Sequence, residues 1–78
     1  MNPEQRLVEM IGWLLRTPSS RLYRHTDFRD DLDLDPVDLI LLIAQLENHF
    51  QVFLTPEEVA AIHTVGDALN YFGSGVKA

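Results

Sequence analysis

Three places in this chain carry the same short instruction for starting an α-helix, and together they leave little room for any fold but a helical one. They are Asp35-Pro36-Val37-Asp38, Thr55-Pro56-Glu57-Glu58, and Thr64 with Asp67 three residues later. In each, a leading Asp or Thr caps a free backbone N–H, and the acid three residues on reaches back to complete a capping box. Pro36 and Pro56 sit at the first helical position, where a missing N–H is no loss. The negative run over residues 31–38 also faces the positive end of the helix dipole. The predicted elements are a second helix from Pro36 to about Phe50, a short third ending near Ile62, and a fourth from Thr64 to about Phe72. Gly73-Ser74-Gly75 closes the last one.

Upstream, residues 4–16 place Leu7, Val8, Ile11, Leu14 and Leu15 at helical spacing. Pro3 suits the first turn of this helix, and Thr17-Pro18 stops it, because a residue before proline is pushed out of the α region. Gly12 costs the helix about 1 kcal/mol relative to Ala, which points to a close helix contact there. Residues 17–34 have no sustained period. They read as a long loop between helices 1 and 2, tacked down by Leu22, Tyr23, Phe28 and Leu32, and a loop of this length is often functional. The expected fold is all-α: one domain over residues 1–78, with three longer helices and a short third.

The chemistry available is limited. With 78 residues the chain suits one domain, and with no cysteine it has neither disulfides nor thiolate metal sites. His25, His49 and His63 lack i, i+4 metal spacing, and no nucleophile–base pair is present, so neither a metal site nor an enzyme is expected. No apolar run approaches the roughly 20 residues needed to span a bilayer, and the N-terminus lacks a secretory layout; a cytoplasmic location is expected. Twelve acids against six bases give a formal charge of −6. That disfavours nucleic acid and anionic membranes and favours a basic protein surface. Arg16, Arg21, Arg24 and Arg29 fall in the first connecting stretch, close to Asp27, Asp30, Asp31, Asp33, Asp35 and Asp38, which reads either as a solvated mixed loop or as a basic patch beside an acidic one.

With these residues the layout resembles an acyl carrier protein over about residues 5–72. "FRDDLDLD" (28–35) is similar to the family's aromatic-acidic lead-in. "LENHFQVFLTPEE" (46–58) is similar to its Leu-Glu-x-x-Phe segment and acidic third helix, and "TVGDALNYF" (64–72) to the opening of its last helix. The resemblance implies an acyl-carrier-like four-helix bundle. It also implies an Asp-Ser-Leu at the start of helix 2 whose serine accepts a 4′-phosphopantetheine arm, held where free N–H groups face a phosphate. Here that triplet is Asp35-Pro36-Val37, and the preceding family glycine is Asp33. Proline has no hydroxyl, so 4′-phosphopantetheine is not expected; Ser19, Ser20 and Ser74 lack the motif's context.

On helix 2, Leu39, Leu42, Ile43, Leu46 and Phe50 share a core stripe, while Val37, Ile40, Leu41 and Ala44 gather on another side, flanked by Glu47 and Asn48. Either the loop or the third helix covers this second stripe, or it is an exposed interaction patch. The expected function is a non-enzymatic interaction module that docks a basic, apolar protein surface through Asp33, Asp35, Val37, Asp38, Ile40, Leu41, Ala44 and Glu47. By resemblance, the partner is an enzyme of fatty-acid or polyketide-type acyl metabolism. The alternatives are an acyl carrier using another attachment route and a self-associating homo-oligomeric subunit.

Overall fold

The structure is a computed structural model describing residues 2–73. Helix α1 spans Pro3–Leu15, α2 Pro36–Phe50, α3 Pro56–Ala60 and α4 Val65–Ala68; α4 continues as a wider π-type turn over Leu69–Gly73. Among the described residues the only strand-like feature is an isolated antiparallel bridge between Asp27 and Thr64. The fold is the expected all-α, acyl-carrier-like four-helix bundle, and all three anticipated capping boxes form. The closing Ser74 and Gly75 lie outside the described residues.

Helix ends differ from expectation for local reasons. The cap of α1 is Asn2, whose Oδ1 accepts from the Gln5 N–H at 2.7 Å, so the helix begins at Pro3. It ends at Leu15 because Arg16 turns left-handed (φ 55°) and the Thr17 N–H reaches back to the Gly12 carbonyl at 2.9 Å. Gln51 (φ 56°) ends α2 the same way, with the Val52 N–H on the Glu47 carbonyl at 3.2 Å. Both ends carry the longer of the two bonds of a Schellman motif on a left-handed residue that is not glycine, and α1 adds the shorter one, from the Arg16 N–H to the Trp13 carbonyl. Helix α3 stops two residues before Ile62, because the Ala61 and Ile62 N–H groups tighten onto the carbonyls of Glu58 and Val59. Gly12 is indeed crowded, though its neighbour is not another helix. A Cβ there would lie 2.6 Å from the Thr17 carbonyl oxygen, in the turn that ends its own helix.

The core joins Leu7 and Ile11 of α1, Leu42, Ile43 and Leu46 of α2, and Ile62, Val65, Ala68, Leu69 and Phe72 of the C-terminal part. Leu22 and Phe28 enter it from the long loop, which is ordered without being periodic. A 3-10 turn occupies Ser19–Arg21. Further on, the Phe28 N–H donates to the His63 carbonyl (2.9 Å), Val65 N–H to the Thr26 carbonyl (3.0 Å), and Gly66 N–H to the Arg24 carbonyl (2.8 Å). These bonds lace the loop to the start of α4. Of the expected anchors, Leu32 is half-buried and Tyr23 is exposed, stacked on His25 at 5.4 Å.

Candidate functional site

The start of α2 is set by the turn that leads into it and by its own cap. Asp27 organises the approach: its Oδ1 accepts the N–H groups of Arg29 and Asp30, both at 2.8 Å, and its own N–H donates to Asp31 Oδ2 at 2.7 Å. The Asp30 N–H chiefly, with the Arg29 N–H and the nearby charges of His63 and Arg29, holds the Asp27 carboxyl below its ordinary range against the opposing effect of desolvation. The chain then swings through Asp33, which is left-handed (φ 59°). Asp35 caps the helix, accepting the Asp38 N–H at 2.8 Å, while Asp38 Oδ2 accepts the Asp35 N–H at 3.4 Å. Pro36 occupies the first helical position. The two carboxylates thus occupy the N–H groups of Asp35 and Asp38, and Pro36 has none to offer an anion.

The two apolar sides of α2 part as the spacing predicts. Leu42, Ile43 and Leu46 are buried and Leu39 and Phe50 half-buried, whereas Val37, Ile40 and Leu41 are 63%, 56% and 57% exposed. Neither the loop nor α3 covers them. Asp33, Asp35 and Asp38 are exposed beside them, and Ala44 is half-buried. Glu47 stands apart: it is half-buried, and its Oε2 accepts the Leu54 N–H at 2.8 Å, anchoring the segment that leads to α3.

A cavity of about 510 Å³ opens between α2 and α3, walled by Pro36, Leu39, Ile40, Ile43, Val59 and Ile62 and joined by Arg29 and His63. Sequence reasoning did not find it. Leu39 and Ile43 sat in the core stripe and Ile40 in the other, and a gap between two helices is invisible to periodicity within one. Arg29 and His63 were missed for the same reason, since 34 positions separate them. Among the described residues no group of three or more His, Asp or Glu side chains could hold a metal ion. No helix there is long and apolar enough to cross a membrane.

A phosphodiester needs a hydroxyl. At this helix start Pro36 has none, and Asp33, Asp35 and Asp38, its neighbours in the chain, are exposed, so no step is derived through the arm. Elsewhere, Ser19 donates to Glu9 Oε2 at 2.9 Å, Ser20 is exposed in the 3-10 turn, and Ser74 lies outside the described residues.

Comparison with known proteins is unambiguous about kinship. The family model described as the phosphopantetheine attachment site matches residues 5–72. An acyl carrier protein of Lactobacillus acidophilus is 33% identical over 69 residues, 88% of this chain and 86% of the relative. One from Acidothermus cellulolyticus is 32% identical over 68 residues, 87% of this chain and 81% of the relative. A solved structure from Mycobacterium tuberculosis, described as an acyl carrier protein, superposes with a TM-score of 0.81 at 28% identity, covering 92% of this chain and 96% of that one. These matches correct the expectation that 4′-phosphopantetheine has no place here: the chain matches a phosphopantetheine-bearing family over nearly its whole length. The expectation failed because it let one side chain, Pro36, speak for chemistry that the match over residues 5–72 assigns to the family.

Proposed function

The chain belongs to the acyl carrier protein family, whose members are carriers and not enzymes, and from that premise we propose that it docks an enzyme of acyl metabolism through α2. The observation that carries this reading is the row Val37, Ile40 and Leu41, each more than half exposed on one side of α2. A contiguous apolar row of this kind on a surface helix marks an interaction site. Asp33, Asp35 and Asp38 border the row and attract lysines and arginines, Ala44 extends it at its half-buried edge, and Glu47 fixes its far end. The partner presents a basic rim around an apolar pocket, and the setting is the cytoplasm.

The test is calorimetric titration with a purified acyl-chain-elongating enzyme. Burying a leucine at an interface is worth about 1.5–3 kcal/mol, so Leu41→Glu is expected to weaken binding about ten-fold or more while circular dichroism stays unchanged. Leu46→Glu, at a fully buried position, should lose the fold and serves as the control. Wild-type affinity in Leu41→Glu, or its unfolding alongside Leu46→Glu, would overturn the docking face. The cavity beside Ile43 and Val59 favours a second reading, in which an acyl tail is cargo. Titration with decanoyl-pantetheine should then shift the methyl resonances of Ile43, Val59 and Ile62, and unmoved resonances would exclude it.

A further inference from the structure

Trp13 is the chain's one tryptophan, and it is 77% exposed on α1. A single exposed side chain of this kind is ordinary, but Trp13 does not stand alone. Its neighbourhood runs onto α2: Trp13 and Gln45 line one cleft, while Trp13, Met10, His49 and Phe50 line the next, with Arg6 beside them. Gln45 lies one helical turn beyond Leu41, and Leu41 one turn beyond Val37, so the three share a face of α2. The exposed surface is therefore continuous from Val37 through Leu41 and Gln45 to Trp13. Its two ends differ in charge. Asp35 and Asp38 stand at the start of α2, while Arg6 and His49 stand at the far end and Arg16 flanks the cleft holding Trp13. Glu9 lines both clefts as well, and it accepts a hydrogen bond from the Ser19 hydroxyl.

We infer that this stripe is a self-complementary interface for a second copy of the chain, packed with the two α2 helices antiparallel. A two-fold axis near Leu41 and Gln45 sets the acidic end of each copy against the basic end of the other. Trp13 of one protomer then covers the apolar start of α2 in its partner. The interface goes beyond enzyme docking because it depends on Trp13 and Arg6, on α1, which the docking face does not use.

The single tryptophan makes the test direct. Dilution from millimolar to sub-micromolar protein is followed by analytical ultracentrifugation and by Trp13 emission. The expected result is a monomer–dimer equilibrium whose dimer emits at shorter wavelength, as the indole leaves water. Trp13→Ser and Arg6→Glu should each weaken the dimer about ten-fold or more, on the scale of burying one large side chain. Both should keep the wild-type circular dichroism, since both positions are exposed. A chain that stays monomeric at millimolar concentration overturns the proposal. So does a dimer whose Trp13 emission does not move, or one that persists unchanged in Trp13→Ser. Because Trp13→Ser leaves Val37, Ile40 and Leu41 in place, its effect on dimerisation separates cleanly from enzyme docking.

Discussion

Asp33 shows how much a single backbone angle explains. It adopts φ 59°, the left-handed region, where a Cβ is crowded and glycine is at ease. By resemblance, this is where the family carries glycine, and the geometry supplies a physical reason for that residue type. Asp33→Gly is therefore expected to stabilise the fold by about 0.5–1 kcal/mol, the relief of strain exceeding glycine's added entropy in the unfolded chain; urea denaturation reads it. Two positions on, Asp35 caps α2 through the Asp38 N–H. Asp35→Ala should cost about 1 kcal/mol in the same measurement, and a change below a few tenths would mean that the cap contributes nothing. Both residues were legible in the sequence as acids at a helix start. The left-handed angle was not, because nothing in the local composition of residues 28–35 demands it.

Among the elements, the long loop departs most from its sequence impression. Its order comes from backbone bonds to the start of α4 and from the Asp27 carboxylate, not from periodicity. Gly66 lets the Arg24 carbonyl approach so closely that a Cβ there would lie 2.9 Å from its oxygen. Gly66→Ala should part the loop from α4 and cost about 1–3 kcal/mol, seen as a lowered melting temperature. Asp27 links this element to pH. Its depressed carboxyl contributes stability that is fully present above the ordinary aspartate value of about 4 and is lost as pH falls through the lowered one. An acid titration followed by circular dichroism should thus show less acid sensitivity in Asp27→Asn than in the parent. Equal sensitivity in the two would assign the acid transition to other carboxylates.

For the whole molecule, the loop belongs to the core. The radius of gyration is 11.3 Å, close to the roughly 11 Å expected of a compact chain this long, so residues 16–35 add no loose extension. Phe28 is the loop's main contribution and is 1% exposed, among the largest fully buried side chains. Phe28→Ala should cost about 3–5 kcal/mol, enough to leave so small a domain largely unfolded at physiological temperature. If it instead melts within a few degrees of the parent, the helices hold the bundle without the loop. The same packing leaves α2 with two opposite sides, one buried against α1 and α4 and one open to water, and both proposed interfaces use the open side.

Where helices start, which face of each is apolar and which family the chain resembles were all legible in the residues alone. These are local or periodic properties: a cap and its acid lie three residues apart, and an apolar stripe repeats every three or four. Pro36 at the head of α2 was legible too, though that one residue misled the cofactor expectation that the family match corrects. Packing alone set the exposure of Val37, Ile40 and Leu41, the cavity between α2 and α3, and the clefts that Trp13 shares with Gln45 and His49. Each of those depends on how elements far apart in the chain are set against one another. Burial is a property of the neighbours a side chain acquires, and for Leu41 and Trp13 no neighbour was written in the residues on either side.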